Sequence, residues 1–485
     1  LETKTKIIFR ADGNANIGLG HIYRLIAVSE KILGNFTKIF IHKKSSPEIQ
    51  KLLESYFDSV QLLSEEASPE EEKREWINLL SGNEIIILDG YSFDDEYQIK
   101  LKQKGAYLIY LDDINAFKQY ADLVINVGTD KAGILYTHKA FYTEVRGGLA
   151  HSFLRKSFYT LAKNTFSGIK VSKKGILICL GGADPTNKTL ETYTFVRNAF
   201  PAESIHIVVG PAYKHLNTLK EILHSDPGSR LYHNIGEIEL ANLMNRTEIA
   251  VCSASTVSYE YLTTGGLLFI YKTAENQSHL YNYLLSKKWA FPAELITQKQ
   301  NLKQDIDSLN VALKQFYENS FNEYIRQVAN LNSYTLRKAN IHDAEILFQW
   351  IKEMATLNPS LNTEPILWEN HIRWFQQKLN SDRDVILTME KKGKPAGQIR
   401  FEKKEEHTLI SFILDKNEWG KGLGYHLLKT GTQHYLFNYE NNQPLIGYVK
   451  ADNAPSLKLF RKCNFEETLT QVEGIPTVKF TLKHI

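Results

Sequence analysis

Ile7-Ile8-Phe9-Arg10-Ala11-Asp12-Gly13-Asn14-Ala15-Asn16-Ile17-Gly18-Leu19-Gly20-His21-Ile22-Tyr23-Arg24 is the stretch that decides the fold. Its first three residues form a short apolar run that reads as a buried strand. Leu25-Ile26-Ala27-Val28 continues it as a helix. Gly18 and Gly20 therefore fall in a strand-to-helix loop at the start of an α/β unit. Glycines there let backbone amides approach a ligand, and a helix N-terminus favours anionic groups. His21 is expected at the mouth of that loop, beyond the carboxyl end of the first strand, where open α/β sheets bind ligands. An imidazole in that position is suited to moving protons near neutral pH. Taken alone, the same spacing also fits a simple turn with a histidine at the helix start.

Working outward, residues 1–165 alternate strand-like runs with helical stretches, the pattern of a parallel sheet. The runs are Ile7–Phe9, Thr37–Ile41, Glu84–Asp89, Tyr107–Leu111 and Leu123–Asn126. Asp89-Gly90-Tyr91 ends one run and Asp112-Asp113 another. These carboxylates either order His21, hold a sugar hydroxyl, or serve as strand-end turn residues.

Residues 166–330 repeat the plan. The run Ile176–Leu180 leads into Gly181-Gly182-Ala183-Asp184, a turn rich in exposed amides that could take a diphosphate together with the following helix start. The run Ile249–Cys252 leads to Ser255-Thr256 at the next helix start, where the hydroxyls cap the helix, meet a phosphate, or both. Glu260 lies one turn inside that helix, within reach of a ribose diol, or else is a solvated helix glutamate. Asn276-Gln277 follows a further strand. Two α/β halves with facing ligand loops describe a GT-B arrangement, with nucleotide on the second half and the reacting group on the first.

The 485 residues suggest three domains, and 43% hydrophobic content suits full cores. A formal charge of +3 with scattered basic residues predicts neither a nucleic-acid nor a membrane surface. Cys179, Cys252 and Cys463 form no C-x-x-C pair, so neither a disulfide framework nor a zinc site is expected. No apolar leader or membrane-spanning run is evident, and a reducing cytoplasm is the expected compartment.

The motifs of residues 6–300 resemble the UDP-sugar hydrolases of pseudaminic acid biosynthesis, GT-B relatives of the GlcNAc transferase that makes lipid II. The resemblance is carried by Phe9-Arg10-Ala11-Asp12, Ile17-Gly18-Leu19-Gly20-His21, Arg24, Asp89-Gly90-Tyr91, Asp112-Asp113 and Asn126. It continues through Gly147-Gly148-Leu149-Ala150, Leu154-Arg155, Gly181-Gly182-Ala183-Asp184, Ser255-Thr256, Glu260 and Asn276-Gln277. It implies inverting, metal-independent hydrolysis of UDP-2,4-diacetamido-2,4,6-trideoxy-β-L-altropyranose to UDP and free sugar. It casts His21 as the base, with Tyr91 and Asn276 on the sugar side. Arg10, Asp12, Gly20, Arg24, Gly181, Gly182, Ser255, Thr256, Glu260 and Gln277 are the implied substrate and UDP contacts. A UDP leaving group needs little acid assistance, so a base for water and amides for the diphosphate suffice. Leu267 departs from the family's Gly-x-Pro turn.

Residues 334–485 begin a third unit, expected to have its own core. The strand Leu409–Leu414 leads into Trp419-Gly420-Lys421-Gly422-Leu423-Gly424 and a helix, and Val449–Ser456 carries Asn453. These motifs resemble GNAT-class acetyltransferases. The resemblance implies acetyl-CoA as cosubstrate, held by Phe412, Ile413, Leu414, the Trp419–Gly424 loop and Asn453. Trp419 replaces the usual Gln or Arg. Phe460 replaces a frequent Tyr general acid, leaving that role open. His371-Ile372-Arg373-Trp374 falls on a helix near the acceptor region and is read mainly as packing. The acceptor would be the 4-amino UDP-sugar precursor, so that one chain would hold two consecutive steps. The alternatives are a UDP-sugar glycosyltransferase fused to an acetyltransferase, or a non-catalytic UDP-sugar-binding module serving it.

Overall fold

The computed structural model describes residues 4–13, 19–43, 46–64, 68–182, 184–357, 366–439 and 442–483. Gly18 and Ala183 lie outside the described residues.

The chain forms three sheets. The first has seven strands in the order Ser59–Leu63, Phe36–Lys43, Thr5–Ala11, Ile85–Asp89, Tyr107–Leu111, Leu123–Asn126 and Glu144–Gly147, all parallel. Its central strands bury both faces, as parallel strands covered by helices do; Ile85–Asp89 is buried at every residue. The second has six parallel strands, with Ile176–Cys179 and Ile249–Ser253 at its centre. Both are Rossmann-like, as expected. The third is a seven-stranded mixed sheet of the acetyltransferase type. Its one parallel pair joins Thr408–Leu414 to Leu445–Lys450 through Thr408↔Leu445 and Leu409↔Ile446, where the ladder ends.

Packing crosses the segment boundaries. Leu149, Leu154, Phe158 and Ala162 belong to the second sheet's core, whereas Phe321, Ile325 and Val328, from helix Phe321–Asn332, return to the first. The third core is not separate, contrary to expectation. Ala140, Phe141 and Tyr142 pack into it with Leu387, Phe401, Leu428 and Phe465. The residues come from the aromatic connection between the strands Leu123–Asn126 and Glu144–Gly147, which the third segment covers. Cys179, Cys252 and Cys463 are free and buried. Among the described residues, no helix is long and apolar enough to cross a membrane.

Candidate functional site

Strand register builds the first part of the site. Ala11 pairs with Asp89 and Asp89 with Leu111, so Asp12, Asp89 and Asp112-Asp113 emerge at one carboxyl edge. Helix Gly20–Lys31 starts above that edge, and His21 and Arg24, three residues apart, share its inward face. His21 Nδ1 lies 2.6 Å from Asp89 Oδ1. Arg24 donates to both Asp89 oxygens at 2.7 and 2.5 Å and to both Asp113 oxygens at 2.9 Å. Asp89 is fully buried and His21 7% exposed. Burial alone would raise the Asp89 pKa; the Arg24 guanidinium, followed by His21, outweighs it and holds the carboxyl below its ordinary range. An ionised Asp89 accepts Nδ1–H, which leaves Nε2 as the imidazole's proton acceptor.

The second sheet supplies the facing wall. Asn276, in the turn Glu275–Gln277, donates through Nδ2 to the Tyr91 hydroxyl at 2.5 Å. The Tyr91 ring stands edge-on to His21, centroids 4.7 Å apart. Burial, then Asp113, pushes the Tyr91 phenol up to about 12, so it remains protonated and can donate. Asn276 Oδ1 is buried with no partner, an unspent acceptor beside it. A cleft of about 380 Å³ opens here, lined by Tyr91, Ile114, Glu275, Asn276, Ser278 and His279.

The nucleotide-side residues are distributed less uniformly. Gly181 is left-handed at φ +103°, and a Cβ there would stand 3.9 Å from Ser253 Oγ; a Cβ on Gly182 would meet nothing within 4 Å. Ser253 and Ser255 hydroxyls are 3.0 Å apart. The Ser255 side chain makes no cap bond to helix Thr256–Leu262, contrary to the capping alternative. These two loops therefore adjoin. The following helix start is another matter: Asp184 already accepts from Lys188 N and Thr189 N at 2.9 and 2.6 Å, so those amides are not free for a diphosphate. Glu260 is 3% exposed rather than solvated, and both its oxygens accept from Arg155 at 2.8 and 2.7 Å. Gln277 turns onto Thr273 N and Oγ1 instead of facing the cleft.

Arg10 is the largest departure. It is fully buried, bonded to Glu72 at 2.9 Å and Asp12 at 2.6 Å, and so braces the sheet edge rather than meeting a ligand. Asp12 also accepts from Lys43 N at 2.8 Å. Glu72 carried no signal in its own stretch of sequence, and Arg155 was named in the resemblance without a role, because each role is defined by a partner far along the chain.

In the third sheet, Phe412, Ile413 and Leu414 lie beyond the last pairing to Leu445–Lys450 and are half-buried along the opening. Gly420 and Gly422 have φ +76° and +79°, and a side chain at either would meet nothing within 4 Å. Gly424 differs: a Cβ there would come within 2.9 Å of Leu459, so it serves helix packing. Trp419 is 48% exposed, and Lys421 is exposed and paired with Glu418 at 3.3 Å. Leu423 is buried as the first residue of helix Leu423–Asn438, and Gly422 is its N-cap. Asn453 caps helix Ala454–Lys462 by accepting from Ser456 N. Phe460 is 3% exposed and stacked on Phe480 at 4.9 Å, a core position with no acid function. His371, 3% exposed, bonds Ala344 O at 2.9 Å and stacks among aromatics, as its packing reading expected.

Residues 334–466 match the family model described as "Acetyltransferase (GNAT) domain". An uncharacterized protein of Methanocaldococcus jannaschii is 25% identical over 494 residues, covering 96% of this chain and 97% of that protein. The UDP-2,4-diacetamido-2,4,6-trideoxy-beta-L-altropyranose hydrolase of Campylobacter jejuni is 27% identical over 271 residues, 53% of this chain and 88% of that enzyme. Among solved structures, spermidine N-acetyltransferase from Vibrio cholerae is 14% identical, with a TM-score of 0.28, over 31% of this chain and 95% of that one. The chain is thus similar to a nucleotide-sugar hydrolase over its first half and carries a GNAT acetyltransferase domain after it, the organisation of a fusion.

Proposed function

We propose that the chain is a bifunctional enzyme of pseudaminic acid biosynthesis. Its GT-B-like first two segments hydrolyse UDP-2,4-diacetamido-2,4,6-trideoxy-β-L-altropyranose to UDP and free sugar. Its third segment transfers acetyl from acetyl-CoA to the 4-amino group of the UDP-sugar precursor. Its partners are then small molecules, and its compartment the cytoplasm.

The observation that carries the hydrolytic reading is the His21–Asp89 pair with the Tyr91 ring packed against it and Asn276, from the second segment, bonded to the Tyr91 hydroxyl at the cleft. Water attacks the anomeric carbon from the face opposite UDP, and the bond from that carbon to the diphosphate oxygen breaks. His21 Nε2 takes the water proton, while Asp89 holds Nδ1–H and steadies the imidazolium that forms. Tyr91 O–H donates to a sugar oxygen, and Asn276 Oδ1 accepts an acetamido N–H. The amides of Gly181, Gly182 and Thr256, with the Ser255 hydroxyl, receive the departing diphosphate, and Glu260 the ribose.

In the third segment, the open loop Gly420–Gly422 at a helix start would hold the acetyl-CoA pyrophosphate on backbone amides. The unpaired strand edge Phe412–Leu414 would hold the adjoining arm, and Asn453 would reach it from its cap. The amine attacks the thioester carbonyl, the C–S bond breaks, and CoA leaves. The amine's surplus proton passes to solvent; Phe460 supplies none to the thiolate, which takes its proton from solvent or from another residue.

The direct test is UDP release from the diacetamido UDP-sugar with no acceptor present. Stoichiometric UDP and free sugar support hydrolysis. UDP appearing only with an added acceptor would point to a glycosyltransferase, and tight binding without turnover to a delivery module.

A further inference from the structure

We infer that the first segment holds the acetyl-CoA loop in place, through a buried ion triad that clamps the loop's own helix onto the first sheet. The inference rests on the acetyltransferase reading of the third segment. Asp122 lies just before the strand Leu123–Asn126 and is 2% exposed. Its Oδ2 is 2.5 Å from Lys102 Nζ, on helix Asp95–Gln103, and its Oδ1 is 2.8 Å from Lys429 Nζ, on helix Leu423–Asn438. Gln433 Nε2 adds a bond at 3.2 Å.

Two lysines on one carboxylate leave an excess buried cation, which the surroundings absorb. Lys102 donates to Ala106 O at 2.8 Å, and Lys429 lies over the Tyr107 and Tyr142 rings at 5.0 and 5.6 Å. Such a cluster is costly to assemble unless every member is paired, and therefore fixes one docking geometry. Lys429 sits about 10 Å along the axis from the Gly422 cap. The same sheet strand links the two ends of the arrangement. Tyr107 begins it under Lys429, and Leu111 ends it just before Asp113, which pairs with Arg24. Movement of the acetyl-CoA helix is thereby tied to the sheet that carries His21.

Hydrogen exchange on the full chain, with and without acetyl-CoA, tests this. Acetyl-CoA should slow exchange in helix Leu423–Asn438 and also in helix Asp95–Gln103 and strand Tyr107–Leu111. Lys429→Met, which leaves the Lys102–Asp122 pair intact, should raise the KM for acetyl-CoA about tenfold with kcat little changed, and should abolish the protection in residues 95–111. Protection confined to residues 334–483, together with an unaltered KM in the variant, would overturn the inference. Absence of any acetyl-CoA binding by the unaltered chain, while UDP release persists, would overturn the acetyltransferase reading and this inference with it.

Discussion

Asp89 Oδ1 stands 2.6 Å from His21 Nδ1, and the same oxygen is held by Arg24 at 2.5 Å. The carboxylate is therefore fixed from two sides, and the imidazole is fixed by it. This relationship gives the imidazole one orientation and one tautomer, as the proposed role of base requires.

Asp89→Asn keeps the shape but can present its amide N–H to Nδ1, favouring the wrong tautomer. Hydrolysis should fall by about 10²–10⁴-fold, with UDP affinity nearly unchanged. His21→Ala should fall at least as far and lose the acidic limb of the pH–rate profile, since a protonated imidazole cannot accept the water proton. Steady-state UDP release across pH checks both. A near-normal rate in His21→Ala would return the histidine to a structural role.

Glu260→Gln retains one acceptor for Arg155 and removes the charge presented to a ribose. UDP binding measured by calorimetry should weaken about tenfold, the scale of a charge-assisted hydrogen bond. Unchanged affinity would leave Glu260 solely as the partner of Arg155.

Gly422→Glu places a carboxylate where a side chain now meets open space, at a φ of +79° that disfavours any side chain. Acetyl-CoA binding should be lost to charge repulsion and strain, and hydrolysis of preacetylated UDP-sugar should continue, because the loop lies at the surface. Parallel assays of the two activities decide it.

The Asp122 carboxyl would be raised by burial, but Lys102 and then Lys429 outweigh that and hold it well below the ordinary range. Its folded-state pKa is depressed, so its contribution is fully present above the unfolded value of about 3.9 and is lost as pH falls toward the folded one. Asp122→Asn leaves two buried lysines without their counter-charge and should cost about 3–5 kcal/mol near neutrality. Denaturant unfolding at several pH values should find the gap between the two proteins narrowing as pH falls below about 3.9.

Sequence reading reached the two parallel sheets because their strands are near-continuous apolar runs ending in polar residues, as Ile85–Asp89 does. It placed His21 through the loop-and-helix start after the first strand, and Tyr91 and Asn276 through the family resemblance; the fold brings the three together. It could not separate Arg10 from Arg24. Both flank the first loop, but Arg10 points inward from a strand to Glu72, and Arg24 lies on a helix face toward Asp89. Nor could it see that Asp184 occupies the helix start it precedes, since a cap and a ligand compete for the same amides. The triad of Lys102, Asp122 and Lys429 was hidden for a further reason. Each residue looks like a surface charge on its own element, and the pairing joins three elements far apart in sequence, one of them in the third segment.

The central claim is that one chain acetylates a 4-amino UDP-sugar and then hydrolyses the product. An NMR time course of the purified chain with acetyl-CoA and the UDP-4-amino sugar tests it most directly. The account predicts a transient UDP-diacetamido sugar, followed by equal amounts of UDP and free sugar that first appears as the inverted anomer. Under the same conditions His21→Ala should halt at the UDP-diacetamido sugar. Accumulation of that intermediate by the unaltered chain, with no UDP released, would contradict it.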